Sequence, residues 1–284
     1  VGGLVAAILM LAGDPMVELQ GHRGARGLLP ENTLPSFARA LEIGVDTLEL
    51  DVGVTRDGVV VVHHDRRLNP DVARGPDGQW VKAPAPTIFS LLYEELQRYD
   101  VGRIRPGSEY ARRFPHQVPI DGTRIPRLAQ LLALARPTPV KLNIETKLVP
   151  HAPTETLEPE AFARALIAEV RRAGVGARTT IQSFDFRTLK VVEREAAEIA
   201  TSYLTSGKSS DVDKVHAAGA RIWSPDFQDL DADIVRRAHE RGMRVIAWTV
   251  NEPADIRRVL EMGADGIISD YPDRVRKELE RWRR

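Results

Sequence analysis

The strongest constraint on the fold of this chain is an alternation. Short runs rich in β-branched residues take turns with amphipathic stretches of helical period, the pattern of repeated βα units on a parallel sheet. Candidate strands are Val17–His22, Thr47–Val52, Val140–Thr146, Thr179–Ser183, Ala200–Leu204, Arg221–Ser224, Arg244–Val250 and Gly266–Ser269. Helical candidates between them include Leu34–Ile43, Glu160–Ala173, Phe186–Glu195, Ala232–Arg241 and Pro253–Met262. Glycines stand where those helices should stop, at Gly44, Gly174, Gly219, Gly242 and Gly263. Eight strands with seven or eight helices predict an α/β fold, a (β/α)8 TIM barrel. The 284 residues suit that architecture, and residues 14–284 read as one domain. An open doubly wound sheet is the structural competitor, but no G-x-G-x-x-G follows a strand.

One segment breaks the alternation. Arg66 to Arg127 is rich in Pro, Gly, Arg and Tyr and holds no clean βα unit. A stretch of that length inside a compact domain reads as a functional lid or small inserted subdomain. Because it follows the second strand, it is expected as a cap over the C-terminal mouth of the barrel, although a decorative insertion is the blander alternative. Val1 to Gly13 is almost wholly apolar yet too short to span a bilayer as a helix. It resembles the core of a secretory signal without a basic leader, which predicts a periplasmic or secreted protein; a buried terminal element is the alternative.

Composition narrows the classes of function. Lysine plus arginine and aspartate plus glutamate both number 40, so the net charge is zero, which argues against a nucleic-acid or membrane-surface partner. With no cysteine, disulfides and thiolate metal sites are excluded.

The chemistry concentrates near the N-terminus. Gly21-His22-Arg23-Gly24, Pro30-Glu31-Asn32-Thr33, Glu49-Leu50-Asp51 and His63-His64-Asp65 assemble histidines, carboxylates and an arginine within a short stretch. In a barrel of this type the site forms at the C-terminal ends of the strands. His22 ends the first predicted strand, Glu49 and Asp51 the second, and Glu145 and Lys147 the third. Residues two apart on a strand share a face, so three carboxylates and a lysine converge on one mouth. Asp57-Gly58 between β-branched runs is a hairpin signal. A two-residue loop there places His64 opposite Asp51, on the carboxylate face, and turns His63 to the other side. Each acid alone is more often solvated or salt-bridged, but this convergence points to a hard divalent cation, Mg²⁺ or Ca²⁺, rather than zinc.

His22-Arg23-Gly24, Pro30-Glu31-Asn32-Thr33, Glu49-x-Asp51, Thr55-Arg56-Asp57-Gly58, His64-Asp65 and Asn143-Ile144-Glu145 together resemble the glycerophosphodiester phosphodiesterase family. Gln182-Ser183-Phe184, Trp248-Thr249-Val250-Asn251 and Asp265 through Pro272 match its later signatures, so the resemblance runs from about Val17 to Arg276. It implies a barrel with an insertion after its second strand. It also implies one divalent cation bound by Glu49, Asp51 and Glu145, with His22 and His64 as general acid and base in either order. Arg23 and Lys147 would hold the non-bridging phosphate oxygens. Where the family commonly has an aliphatic residue this chain has Thr146, expected to face away from the mouth. The polar stretch Thr205–Asp213 is expected to reshape the rim near the fifth strand.

The implied reaction turns a small-molecule glycerophosphodiester into glycerol 3-phosphate and an alcohol, through a cyclic phosphate or by direct attack of water. Phe184 and Trp248 read as an apolar wall for the glycerol carbons, against the commoner role of aromatics in core packing. Two rivals stand beside this reading. A related barrel acting on intact lysophospholipids or sphingomyelin would present an exposed apolar rim, and a silent binding barrel would have lost a proton-transfer or metal residue.

Overall fold

The computed structural model describes residues 17–148 and 153–283, so the apolar Val1–Gly13 stretch lies outside the described residues. Nine strands form one sheet: β1 (Glu18–Gly21), β2 (Thr47–Val54), β3 (Val60–Val62), β4 (Lys141–Thr146), β5 (Thr179–Ser183), β6 (Ala200–Thr205), β7 (Ile222–Pro225), β8 (Arg244–Ala247) and β9 (Gly266–Ser269). The order is β1-β9-β8-β7-β6-β5-β4-β2-β3, and β1 also pairs with β2. That last parallel pairing, Gln20 with Thr47 and Gly21 with Leu48, closes the eight parallel strands into a (β/α)8 barrel. β3 is the exception, an antiparallel arm on β2.

The strand sequences explain which face looks where. Leu48, Leu50 and Val52 alternate with Glu49 and Asp51, as Leu142 and Ile144 alternate with Asn143 and Glu145. The apolar members are fully buried in the main core with Phe37, Leu131, Phe162 and Leu166 of the surrounding helices. The polar members point into the barrel, where glutamines of nearby strands bond Glu49 and Asn143. Asn143 Nδ2 donates to Gln20 Oε1 at 2.8 Å and to Gln182 Oε1 at 3.0 Å, and the Ser202 and Ser224 hydroxyls meet at 2.8 Å. Thr146 faces the helix layer, bonded to Ser183 at 3.0 Å and Thr188 at 3.1 Å.

Helices occur at Leu34–Ile43, Pro159–Ala173, Phe186–Glu195, Ala232–Glu240 and Pro253–Glu261, within a residue of the ranges read from periodicity. Helices at Leu128–Ala135, Val212–Ala217 and Pro272–Trp282 complete the barrel units. Two strand expectations are corrected. The run Arg244–Val250 ends as a regular strand at Ala247; Trp248 keeps a single parallel bridge to Asp226, and Trp248 and Thr249 both line the mouth. The hairpin between β2 and β3 is one residue longer than read. Val54 pairs with Val60, Thr55 N donates to Val59 O at 3.0 Å, and Gly58 adopts φ 79° in a three-residue loop, Arg56–Gly58. In that register His63, not His64, stands opposite Asp51, with His63 N donating to Asp51 O at 3.0 Å.

Residues 66–127 return to the barrel between β3 and helix Leu128–Ala135. They build a second small core from Val61, Leu68, Ile88, Leu96, Val101 and Ile125. Their short helix Glu109–Arg113 is tied to the loop after β1, where Gln117 Nε2 donates to Arg26 O at 2.7 Å and Val118 N to Leu28 O at 2.9 Å. No helix among the described residues is long and apolar enough to cross a membrane.

Candidate active site

A cavity of about 560 Å³ opens at the C-terminal ends of the strands. Its floor is the carboxylate cluster. Glu49 and Asp51 on β2 and Glu145 on β4 each offer an oxygen within 4.8 Å of the others, and all three are buried. Strand pairing does this directly, because Asp51 and Glu145 are register partners and Glu49 lies two residues back on the same face.

Each carboxylate has a distinct environment. Glu49 accepts from Arg23 N at 2.9 Å and from Gln182 Nε2 at 2.8 Å. Burial and the neighbouring Asp51 charge nevertheless push its carboxyl well above the ordinary range. Burial also lifts Glu145, to about 7, against the opposing pull of Lys147. Asp51 goes the other way: burial alone would raise it, but Lys147 and Arg23 hold it well below the ordinary value. Lys147 Nζ lies 2.9 Å from Asp51 Oδ1 and 2.7 Å from Glu145 Oε1. The contact to Asp51 is off the direction that a hydrogen bond needs, so this buried oxygen has no hydrogen-bond donor among the described residues.

The two histidines are built alike. His22, just past β1, has Nδ1 2.7 Å from Asp270 Oδ1, and its Nε2 lies 3.9 Å from Glu49 Oε2. His64 has Nδ1 2.7 Å from Asp65 Oδ1, and Asn69 Nδ2 donates to the other Asp65 oxygen at 2.8 Å. In both rings the carboxylate occupies Nδ1 and leaves Nε2 for the cavity. Burial, reinforced by Arg26, carries His22 down to about 4 although Asp270 opposes the shift. Burial and the Arg23 charge likewise lower His64.

His64 thus reaches the cavity as expected, but for a different reason. β3 ends at Val62, and the chain bends so that His63 is buried beside Glu31 in a separate small cavity while His64 faces the mouth. Pairing geometry beyond the strand end would have chosen His63.

Arg23 adopts φ 51°, a left-handed conformation that side chains other than glycine rarely take. It aims the backbone N–H at Glu49 while the guanidinium spans Glu31, at 2.8 Å, and Asp51, at 3.1 Å. Gly24 makes this turn possible. At φ 87° a Cβ there would sit 2.6 Å from Ser36 Oγ and 2.7 Å from the Ser36 backbone carbon.

Phe184 and Trp248 both line the cavity, meeting edge to face at 5.5 Å between centroids. Phe184 is 46% exposed, so it is not a core residue, and Trp248 is fixed by its Nε1 donating to Ser224 O at 2.8 Å.

Sequence reasoning gave no role to Asp270, Arg26, Asn251 and Tyr110, which organise the site. Asp270, one residue past β9, is 1% exposed and serves His22, Arg26 and Asn251 together. Arg26 Nε donates to it at 2.6 Å and Asn251 Nδ2 at 2.7 Å. The signal available was its place at a strand end in phase with the mouth, the same rule that selected Glu145. Tyr110 of the insertion reaches back as well, its hydroxyl donating to Glu31 and accepting from Arg26 Nη1 at 3.3 Å.

Residues 22–274 match the model of the glycerophosphoryl diester phosphodiesterase family. Among solved structures, the chain is similar to a candidate glycerophosphoryl diester phosphodiesterase from Silicibacter pomeroyi DSS-3, with 37% identity and a TM-score of 0.89 over 95% of each chain. It is 30% identical to a glycerophosphodiester phosphodiesterase of Caldanaerobacter subterraneus subsp. tengcongensis over 89% of this chain and 93% of that one. The fold is shared with an Oleispira antarctica phosphodiesterase solved with the product sn-glycerol-3-phosphate, at 22% identity and a TM-score of 0.75, covering 93% of this chain and 97% of that one. With a match that begins at the first histidine of the site and ends in the last helix, the chain belongs to the glycerophosphoryl diester phosphodiesterase family and is a phosphoric diester hydrolase.

Proposed function

We propose that this chain hydrolyses glycerophosphodiesters to glycerol 3-phosphate and an alcohol, with one divalent cation, Mg²⁺ or Ca²⁺, held by Glu49, Asp51 and Glu145 and with His22 and His64 moving the protons. One observation carries the reading: three buried carboxylates share a cavity with two histidines, each offering Nε2 because a carboxylate holds Nδ1. The glycerol 3-phosphate bound to the Oleispira antarctica phosphodiesterase of the same fold supports the assigned product.

The residues fit a hard cation. Asp51 Oδ1 is a buried oxygen with no hydrogen-bond donor among the described residues, and burial with mutual repulsion raises Glu49 and Glu145. An all-oxygen donor set of that kind suits Mg²⁺ or Ca²⁺. Such a cation, when bound, supplies neutralisation of the phosphate charge and eases ionisation of the attacking hydroxyl. Arg23 and Lys147 line the same wall and are assigned to the non-bridging phosphate oxygens.

The chain's own residues then carry the proton transfers. One histidine Nε2 takes the proton of the attacking hydroxyl, which belongs to the substrate's glycerol or to water. As the phosphorus–oxygen bond to the leaving alcohol breaks, the other histidine gives that oxygen a proton. Asp270 and Asp65 fix each ring's tautomer and orientation and stabilise its charged form while it holds a proton. Attack by the glycerol's own hydroxyl would gain from proximity and leave a cyclic phosphate for water to open. Phe184 and Trp248 form an apolar wall for the glycerol carbons.

Two coupled assays test the reading, one for glycerol 3-phosphate and one for the released choline or ethanolamine, with glycerophosphocholine, glycerophosphoethanolamine and lysophosphatidylcholine as substrates. Turnover of the deacylated diesters that EDTA abolishes and Mg²⁺ or Ca²⁺ restores is the expected result. Preference for the acylated lipid, or activity indifferent to EDTA, overturns it. His22→Ala retaining most activity at saturating cation overturns the acid–base assignment.

A further inference from the structure

Three cationic side chains of the cavity wall are neutralised by carboxylates. Arg23 is paired with Glu31 and Asp51, Arg26 with Asp270, and Lys147 with Asp51 and Glu145. Arg113 is different. It lines the same cavity from the end of the insertion's helix Glu109–Arg113, and it forms no ion pair with any carboxylate among the described residues.

Its guanidinium is placed by aromatic rings instead. The guanidinium carbon lies 5.7 Å from the ring centroids of both Tyr110 and Phe114, which meet edge to face at 5.2 Å. Those rings are themselves fixed. Tyr110 is bonded to Glu31 and Arg26, and buried Phe114 carries the Arg26 guanidinium at 4.7 Å. Arg113 is therefore a positioned, uncompensated cation at the mouth rather than a solvated tether. The apolar lining comes from other strands, with Phe184 after β5, Leu204 on β6 and Trp248 after β8.

The reacting phosphodiester carries one negative charge, for which Arg23, Lys147 and the carboxylate-bound cation site already provide. A planar fork of N–H donors beyond that set matches a second oxyanion, and it repels a leaving alcohol with a positive charge. We propose that Arg113 binds an anionic group carried by the leaving alcohol, a phosphate above all, so that the enzyme favours diesters with such an alcohol over those of choline. This rests on the reading of the cavity as a glycerophosphodiester site.

The test compares glycerophosphoglycerol with glycerophosphoglycerophosphoglycerol, whose leaving alcohol bears one further phosphodiester, at low ionic strength and with glycerophosphocholine as the cationic comparison. The wild type should favour the two-phosphate substrate in kcat/KM and be slowest on glycerophosphocholine. Arg113→Met should lower the two-phosphate to one-phosphate ratio of kcat/KM about two- to fivefold, mainly through KM, the size of one rim-exposed ion pair. Arg113→Lys should retain most of the ratio, and the melting temperatures should agree because the residue is exposed.

A wild-type ratio at or below one, a ratio unmoved by Arg113→Met, or an equal loss on both substrates overturns the inference; the last would make Arg113 a ligand of the reacting phosphate. No turnover of any of these diesters by the wild type overturns the proposed function and this inference with it, whereas turnover of glycerophosphocholine alone overturns only the inference. Turnover with an unmoved ratio overturns the inference alone.

Discussion

His22 Nδ1 and Asp270 Oδ1 lie 2.7 Å apart across 248 positions of sequence. Asp270 also binds the Arg26 guanidinium through both oxygens, so one buried carboxylate orients the imidazole and balances an arginine. Asp270→Asn should lower kcat about a hundredfold or more, the usual scale of a lost acid–base contribution, with KM changed little. It should also lose about 3 kcal/mol of stability, because it leaves buried Arg26 unpaired. Arg26→Met separates the two effects: it should destabilise the fold while keeping more of kcat, since His22 retains Asp270. Steady-state kinetics beside thermal melts of both variants decide, and equal kcat losses would remove the positioning role.

Glu49→Gln should weaken divalent-cation binding at least about tenfold and reduce kcat, since it removes one of the three proposed carboxylate ligands while keeping the hydrogen-bond geometry toward Gln182. Titration calorimetry with Mg²⁺ and Ca²⁺ reads the first effect without turnover. Unchanged affinity in the variant would exclude Glu49 from the cation site.

Gly24→Ala should destabilise the protein by about 2 kcal/mol or more, because the left-handed φ and the contact with the Ser36 backbone both oppose a Cβ. Activity should fall further than the folded fraction, since the same turn aims Arg23 N at Glu49. Chemical denaturation combined with kcat on the folded fraction checks both parts.

At the opposite end of the barrel, Glu18 accepts from Thr47 Oγ1 at 2.5 Å and from Arg244 Nη2 at 2.9 Å, with Lys141 Nζ at 3.7 Å. Burial raises its carboxyl, but the Thr47 hydroxyl and the two cations outweigh burial and leave it below the ordinary 4.5. A carboxyl lowered on folding stabilises the protein above its unfolded value and loses that contribution as pH falls through the folded one. Glu18→Gln should therefore lower the melting temperature at neutral pH, and the gap from wild type should shrink steadily below about pH 4.5. A gap independent of pH would show that the charge contributes nothing.

The barrel and its floor were legible because both follow from alternation. Leu48-Glu49-Leu50-Asp51 and Leu142-Asn143-Ile144-Glu145 state, residue by residue, which side chains meet helices and which enter the barrel. Reasoning of that kind stopped where strands stopped. The hairpin loop proved one residue longer than Asp57-Gly58 alone predicts, because Gly58 closes a three-residue turn, and His64 reached the mouth only because β3 ends before it. Trp248 lies just past the end of β8, held at the mouth by a single bridge to Asp226, with Thr249 lining the cavity beside it. Tyr110 and Arg113 were out of reach altogether. They stand in an insertion without periodicity, and their positions depend on tertiary contacts to Glu31, Arg26 and Phe114 that no local pattern encodes.

The barrel seam has a consequence for when this molecule becomes an enzyme. β1 is flanked by β2 and by β9, and Asp270 follows β9 directly. A polypeptide emerging from the ribosome holds both histidines and all three floor carboxylates early, yet His22 has no carboxylate on Nδ1 until the final strand docks. On the proposed mechanism, activity would report completion of the ring. A nascent or seam-frayed chain therefore lacks the carboxylate that orients His22 even with most of its hydrophobic core in place.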